Sequence, residues 1–254
     1  MLIILNLFFL VVIFFLGLAI GSFLNVCIYR LPRKESILLP PSHCPACQTR
    51  LQITDLFPLF SFLFLRGKCR YCKNKIHWRY PLVELITGLG FVLLVNFYGF
   101  TLTGIMALII YSFVILITFI DLEHYLILNN TLLVLFLFAL LYHFLANELS
   151  LLTRLGGMAI GFAIPFFLAI ISRGGMGGGD IKLSAVMGFW LGFPAIFQGL
   201  FIAALLGSIV GITLLLMKIK QRKEPIPFGP FLMFGFFIVF LFHEAIHFWY
   251  WALF

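Results

Sequence analysis

Eight long apolar runs, separated by short polar breaks, constrain this chain more than any other feature of its sequence. The runs span approximately residues 2–26, 82–98, 102–120, 125–145, 155–171, 181–191, 195–217 and 231–251. A hydrocarbon layer about 30 Å thick is crossed by about 20 apolar helical residues. With 63% hydrophobic and only 10% charged residues, the sequence excludes an ordinary soluble domain. It predicts an all-α, polytopic membrane protein with about eight transmembrane helices.

The number of spans depends on how residues 181–217 are divided. As a single helix, this stretch would be about 55 Å long at 1.5 Å per residue, which is too long for one span. The tripeptide Gly192-Phe193-Pro194 interrupts it. Because proline cannot continue a helix ladder, we predict a short sixth helix and a full seventh.

The basic residues predict how these helices are oriented. Ten of the 17 lie between Arg30 and Arg79, and a count of eight spans leaves only Arg154 on the opposite side. Cytoplasmic segments are enriched in Lys and Arg, so we expect the polar loop inside and both termini outside. No basic residue precedes Arg30, so we expect an uncleaved first helix rather than a signal peptide. Because the membrane topology accounts for the positive charge, no nucleic-acid partner is expected.

The polar stretch between the first two runs carries four of the five cysteines, arranged as two C-x2-C pairs. The first pair is Cys44 and Cys47, and the second is Cys69 and Cys72. Two such turns can place four thiolates around one tetrahedral ion, so these residues are the predicted ligands of a structural Zn²⁺. Disulfides and a redox-active C-x-x-C remain the alternatives, although a cytoplasmic loop lies in a reducing compartment.

Two of the three aspartates, Asp121 and Asp180, lie at the ends of apolar runs on the same side of the membrane. Ionisable groups in such positions are costly and are functional candidates. A helix N-cap is the alternative role for Asp180. Two neighbouring carboxylates can share one proton, so that one acts as acid and the other as base toward water and an amide carbonyl. The pattern predicts intramembrane proteolysis.

The second aspartate follows a segment in which five of six residues, 174–179, are glycine. Glycines allow another backbone to approach closely in extended form, so Gly177, Gly178 and Gly179 are predicted to line the approach of a peptide substrate. Lys182 is assigned to the same region, with snorkelling to the interface as the alternative. The segment lacks the G-K-[ST] ending of a nucleotide loop.

Taken in order, these motifs resemble the type IV prepilin peptidases, or leader peptidases, across nearly the full chain. The matching segments are GSFLNVCIYRLPR (21–33), CPAC (44–47), CRYC (69–72), RYPLVELITG (79–88), IDLEHYLI (120–127), GGGDIKL (177–183) and PFGPFL (227–232). The resemblance implies catalysis by Asp121 and Asp180, the latter in a GxGD-type motif. We also expect residues 225–230 to border the site. Two departures, at Thr54-Asp55 and Ile127-Leu128-Asn129, remove no catalytic group.

The resemblance further implies what the protein acts on and where. It implies cleavage of the leader from type IV prepilins or pseudopilins, on the carboxyl side of a glycine, at the cytoplasmic face of the inner membrane. It also implies N-methylation of the new amino terminus with S-adenosylmethionine. The predicted divisions are a first helix (1–29), a zinc-binding loop domain (30–80) and a seven-helix peptidase domain (81–254). A channel or transporter and a zinc-knuckle scaffold stay open as other classes.

Overall fold

The fold is a set of apolar helices with one polar loop region. The computed structural model describes residues 2–252 except Asn147, Gly174, Arg222 and Lys223, and describes side chains only for residues 8–242 of these. The helices are α1 (Leu2–Arg30), α2 (Phe60–Phe64), α3 (Arg79–Tyr98), α4 (Leu102–His124), α5 (Asn129–Ala146), α6 (Leu151–Ile171), α7 (Gly178–Leu191), α8 (Ala195–Leu216) and α9 (Gly229–Ala252). Among the described residues, β-structure is confined to two isolated bridges. The predicted all-α fold is confirmed.

Six helices in the described chain are long and apolar enough to cross a membrane, namely α1, α3, α4, α5, α6 and α8. Helix α7 has 14 residues, and α9 has a kink at Phe242. The protein is therefore a multi-pass membrane protein, and the count of eight spans stays a prediction. Two residues of the basic cluster used to predict the orientation, Arg222 and Lys223, lie outside the described residues.

The predicted break between the sixth and seventh runs is confirmed. Helix α7 ends at Leu191 and α8 begins at Ala195. Gly192 adopts a φ of +72° while its N–H donates to the carbonyl of Gly188. Because only glycine takes such a conformation at little cost, residue 192 ends the helix cleanly.

The helix expected from the fourth apolar run starts later than the run itself. Helix α5 begins at Asn129 rather than at residue 125. The chain leaves α4 at Tyr125, which has a φ of +54° and donates its N–H to the carbonyl of Asp121. Residues 125–128 are therefore a non-helical connection, despite their apolar character.

The chain forms two compact units, Met1–Leu116 and Ile117–Phe254. In the first unit, α1 and α3 pack with their backbones in close contact. A Cβ atom at Gly17 would lie 2.7 Å from the Cα of Gly88, and one at Gly21 would lie 2.7 Å from the Cα of Glu84. Small residues permit this approach between helices in lipid. The predicted three-part division of the chain stays a prediction.

The second unit is organised around α7. Helix α6 meets α7 where Gly157 faces Gly188, and a side chain at either position would overlap the facing backbone. The buried indole of Trp190 donates to the carbonyl of Leu135 in α5 at 3.1 Å. These contacts hold the carboxyl-terminal part of α7 between its neighbours.

Candidate active site and metal centre

Asp121 lies one turn before the end of α4, and only 5% of its surface is exposed. Its Oδ2 accepts a hydrogen bond of 2.9 Å from the backbone N–H of Gly229, the first residue of α9. A helix amino terminus has free N–H groups and a positive dipole end, and both favour a carboxylate. The segment 225–230 thus contacts Asp121, as the sequence predicted.

A side chain at the first position of α9 would displace the Asp121 carboxylate or the helix start. A Cβ atom on Gly229 would lie 2.7 Å from Oδ2 of Asp121 and 3.2 Å from the side chain of Ile127. The following residue, Pro230, lies in the first turn of the helix, where its missing N–H is not needed. The sequence Gly229-Pro230 therefore both starts α9 and brings its amino terminus against the carboxylate.

Asp180 is the third residue of α7, and Gly177 occupies the N-cap position. The carboxylate Oδ2 of Asp180 accepts a hydrogen bond of 3.2 Å from the N–H of Gly177. The alternative that Asp180 is itself the N-cap is therefore wrong. Like Asp121, it is a carboxylate held by a backbone N–H.

The fold brings the two aspartates together. It does so although 59 positions separate them in the sequence. Ile127 packs beside Gly179, which precedes Asp180, and beside Gly229, whose N–H holds Asp121. A Cβ atom on Gly179 would lie 2.9 Å from the Cβ of Ile127, which also touches the start of α9 at Gly229. The non-helical connection after α4 therefore packs beside both carboxylates.

The predicted substrate-approach residues differ in their surroundings. Gly177 and Gly178 are exposed, and a side chain at Gly178 would meet open space. Lys182 is also exposed, and its Nζ donates to the Oδ1 of Asn129 at 3.1 Å. This contact ties α7 to the start of α5, so Lys182 has a structural partner. The role of all four residues in substrate approach stays a prediction.

The four loop cysteines form a single cluster. Their sulfur atoms all lie within 4.8 Å of one another, and the Sγ atoms of Cys44 and Cys72 are 3.9 Å apart. Zn–S bonds of about 2.3 Å in a tetrahedron put the sulfurs about 3.8 Å apart. The cysteines are free thiols, and a disulfide would need a separation of about 2.05 Å. The arrangement fits a bound metal ion.

Both cysteine pairs lie on turns of the same construction. The N–H of Cys44 donates to the carbonyl of Thr49, and the N–H of Cys69 donates to the carbonyl of Asn74. The residue after the second cysteine has a left-handed backbone in each turn, at Gln48 and Lys73. Hydrogen bonds from the side chain and backbone of Thr49 also lower the pKa of Cys47 to about 6. The thiolate is the form that binds metals.

Asp55, the third aspartate, stabilises the second cysteine turn. Its carboxylate contacts the Nε of Arg70 at 2.6 Å and accepts from the Tyr71 hydroxyl at 3.0 Å. Partial burial acts to raise the pKa of Asp55, but the hydrogen bonds from Arg70, Gln52 and Tyr71 hold it below its ordinary value. Because Arg70 and Tyr71 lie between Cys69 and Cys72, Asp55 has a structural place in the loop.

The helices and the aspartate pair define a multi-pass membrane protein with candidate catalytic carboxylates at converging helix ends. Residues 15–98 match the family described as "Bacterial Peptidase A24 N-terminal domain", and residues 108–212 match the "Type IV leader peptidase family". The chain belongs to the type IV leader peptidase family.

Individual relatives cover most of the chain. It is 35% identical over 236 residues to a prepilin leader peptidase/N-methyltransferase of Bacillus subtilis, an alignment that covers 92% of this chain and 95% of the relative. It is 34% identical to an enzyme of the same name from Aeromonas salmonicida, with 94% and 92% covered. A Neisseria gonorrhoeae relative of that name is 31% identical, with 91% and 90% covered. No solved structure gives a significant match.

Proposed function

We propose that this chain is a prepilin leader peptidase of the inner membrane and also methylates the amino terminus that cleavage exposes. One observation carries the proposal. Asp121 and Asp180 come from different helices, yet the segments that carry and hold them meet at Ile127, and each carboxylate is held by a backbone N–H at a helix start. Neither has a Lys, Arg or His ion-pair partner among the described residues. The Asp180 contact also closes the first turn of α7, but two carboxylates without a cation remain costly beside a membrane and are functional candidates.

In the proposed reaction the two carboxylates share one proton. The ionised carboxylate accepts a proton from water as the water oxygen attacks the scissile carbonyl carbon. The protonated carboxyl donates its proton to the carbonyl oxygen, which gives a tetrahedral diol. The carboxyl that took the proton from water then passes it to the amide nitrogen, the C–N bond breaks, and the other carboxylate recovers its proton from a diol hydroxyl. The backbone N–H of Gly229 keeps the Asp121 carboxylate in place throughout, so little reorganisation is needed during the reaction.

A prepilin has the chemistry that this arrangement requires. Its basic leader would remain in the cytoplasm while its apolar helix lies in the bilayer, so the scissile bond would lie at the membrane surface. The exposed Gly177 and Gly178 leave room beside Asp180 for an extended peptide. The positive-inside distribution of Lys and Arg supports a cytoplasmic position for this face.

The loop would supply the second activity. Four thiolates in a tetrahedral set select Zn²⁺ among common cellular metals, and we propose that Cys44, Cys47, Cys69 and Cys72 bind it. Its role would be structural, because a closed four-ligand site leaves no open position for substrate. S-adenosylmethionine, when bound, supplies an electrophilic methyl group to the new amino nitrogen. The names of the curated relatives support this methyl transfer.

Cleavage of a synthetic prepilin by the purified protein in detergent tests the peptidase. Asp121→Asn and Asp180→Asn should each reduce the rate at least about 100-fold, because Asn keeps the shape of the side chain and removes its acid–base function. Asp55→Asn is the matched control, since the Asp55 carboxylate belongs to the loop. It should cleave at close to the normal rate.

The outcome also separates the proposal from other classes of protein. Near-normal cleavage by either Asp121→Asn or Asp180→Asn would exclude the two-aspartate mechanism. If the unmodified chain does not cleave any prepilin or pseudopilin, a channel, transporter or scaffold role becomes the better explanation.

A further inference from the structure

The first compact unit contains a cavity of about 380 Å³ that the peptidase mechanism does not use. Its wall is formed by the carboxyl-terminal end of α1, the amino-terminal end of α3 and the loop that carries both cysteine turns. A volume of this size is in the range of small-molecule binding sites. Tyr29, Phe62 and Leu65 provide aromatic and apolar parts of the wall.

Asn25 gives the cavity an unpaired acceptor. The residue lines the cavity and is only 1% exposed. Its Nδ2 donates to the carbonyl of Tyr80 at 3.0 Å, which fixes the orientation of the amide, while its Oδ1 has no hydrogen-bond partner in the described part of the chain. Leaving a buried acceptor unpaired costs about 1–3 kcal/mol. A ligand that donates a hydrogen bond here would remove that cost.

Glu84 gives the same cavity a buried carboxyl group. The residue is 8% exposed, and its Oε2 accepts from the N–H of Leu59 at 2.7 Å. The Ser22 hydroxyl is also hydrogen-bonded to it. Among the described residues, no Lys, Arg or His side chain forms an ion pair with Glu84. A buried carboxylate without a cation is expensive, so a positively charged group of a ligand would complement Glu84, while Arg30, Arg70 and Lys75 line other parts of the cavity.

The edge of the cavity is also ordered by buried polar contacts. Arg30 lines it, is 5% exposed, and donates to the carbonyls of Ser36 and Pro40 at 2.9 and 2.8 Å. These bonds fold the start of the loop back beside the end of α1. Cys44 and Cys69, one cysteine from each turn, also line the cavity. The shape of the cavity therefore depends on the folded cysteine cluster.

We propose that this cavity binds S-adenosylmethionine, with Glu84 pairing with its positive charge and Asn25 Oδ1 accepting a hydrogen bond from it. The molecule carries a sulfonium and an ammonium group, hydrogen-bond donors on its adenosine part, and a flat ring that aromatic and apolar walls can accommodate. The inference rests on the proposed function, because it names the residues that would hold the methyl donor. In this assignment Glu84 and Asn25 contact the bound molecule directly.

Equilibrium dialysis with labelled S-adenosylmethionine tests the assignment on the full chain in detergent. The unmodified protein should bind about one molecule per chain. Glu84→Gln should raise the dissociation constant about tenfold or more, because it loses a charge-assisted contact while retaining a carbonyl acceptor for the Leu59 N–H. Glu35→Gln is the matched control. It replaces the same type of side chain at an exposed position in the loop that follows α1, and the affinity should not change.

A second variant and two further measurements guard against misfolding. Ser61→Trp adds bulk at the cavity wall without altering either polar group, and it should also weaken binding. Zinc content and prepilin cleavage, measured on the same samples, should both remain normal in Glu84→Gln and Ser61→Trp.

A failure of the cavity assignment and a failure of the proposed function would give different results. If the unmodified chain binds S-adenosylmethionine and Glu84→Gln binds it equally well, the cavity assignment is overturned while the proposed function stands. If the unmodified chain cleaves prepilin but neither binds S-adenosylmethionine nor methylates the product, the assignment and the methyl-transfer half of the proposed function both fail. If it does not cleave either, the proposed function as a whole is overturned.

Discussion

Asp121 and Asp180 are both held by backbone N–H groups rather than by cationic side chains. Gly229 donates to the first, and Gly177 donates to the second. A cation would hold a carboxylate permanently ionised, whereas a backbone N–H fixes its position and leaves it able to accept a proton. This difference suits groups that must exchange protons during each catalytic cycle.

Gly229→Ala should impair cleavage without removing either aspartate. The added Cβ would lie 2.7 Å from Oδ2 of Asp121, so the carboxylate or the start of α9 must move. A displacement of about 1 Å from the productive geometry can cost about 100-fold in rate. We therefore expect a fall in kcat of this order, measured with a synthetic prepilin.

A glycine with space around it provides the control for this change. Gly156 lies inside α6, and a Cβ there would meet one atom at 3.8 Å, which is an ordinary contact. Gly156→Ala should cleave normally. If Gly229→Ala also does so, the close contact with Asp121 has no catalytic importance.

Some of these residues could be identified from sequence and others could not. Asp121 and Asp180 are visible because they are charged residues beside apolar runs. Asn25 and Glu84 lie in equally apolar surroundings, but their meaning depends on the cavity that they line together. The hydrogen bond from Gly229 to Asp121 joins residues 108 positions apart, and no local pattern encodes such a pairing.

At the scale of elements, the position of α7 is set by its contact with α6. The glycines at 157 and 188 bring the two backbones together. Arg154 in α6 is fully buried, and its Nη1 donates to the carbonyls of Phe189 and Trp190 at 3.1 and 3.2 Å. Those carbonyls lie in the last turn of α7, where a positive charge is favourable. Arg154 therefore anchors the opposite end of the helix that carries Asp180.

In the predicted topology Arg154 departs from the charge distribution of the other basic residues, and its burial accounts for such a departure. The positive-inside rule concerns basic residues in loops and at the ends of spans. Arg154 instead packs within the described protein, with its guanidinium over the ring of Tyr142. A residue used for helix packing carries little information about orientation, which sequence position alone could not reveal.

Arg154→Ala should destabilise the second unit. It removes two hydrogen bonds to α7 and leaves a space where a large buried side chain was, so we expect a loss of about 3 kcal/mol in the free energy of unfolding. Thermal unfolding in detergent should show a lower Tm. Cleavage at low temperature should fall less than in the aspartate variants, since Arg154 contacts neither carboxylate.

An arginine just beyond the carboxyl-terminal end of α6 provides the comparison. Arg173 follows α6 and is exposed, so Arg173→Ala should leave Tm unchanged. Equal stability of the two variants would show that the contacts of Arg154 do not anchor α7.

At the scale of the whole molecule, the chain combines two compact units with different candidate chemistry. The aspartate pair lies in the second unit, and the cysteine cluster and cavity lie in the first. Sequence predicted the helical class, the cysteine cluster and the break before α8, because hydropathy, C-x2-C spacing and a Gly-Phe-Pro break are local signals. It did not predict the non-helical segment 125–128, because apolar composition does not distinguish a span from a non-helical connection.

We expect cleavage and methyl addition to depend on the cysteine loop to different degrees. If the four cysteines bind one ion, purified protein should contain about one zinc per chain. Cys69→Ser should lose much of it, because a three-ligand site binds more weakly and the loop then loses folding free energy. Cys27→Ser is the control, since Cys27 is buried in α1 outside the cluster, and its zinc content should be normal.

Mass spectrometry of a processed pilin reports leader removal and methyl addition separately in these variants. In Cys69→Ser, methyl addition should fall much further than cleavage, because Cys44 and Cys69 form part of the cavity wall and the loop must be folded to hold the methyl donor. Cleavage should fall only partly, because the aspartate pair needs no metal and its helices are held by one another and by the bilayer. If cleavage is lost together with zinc while Asp121 and Asp180 are intact, the cysteine loop must itself be required for proteolysis.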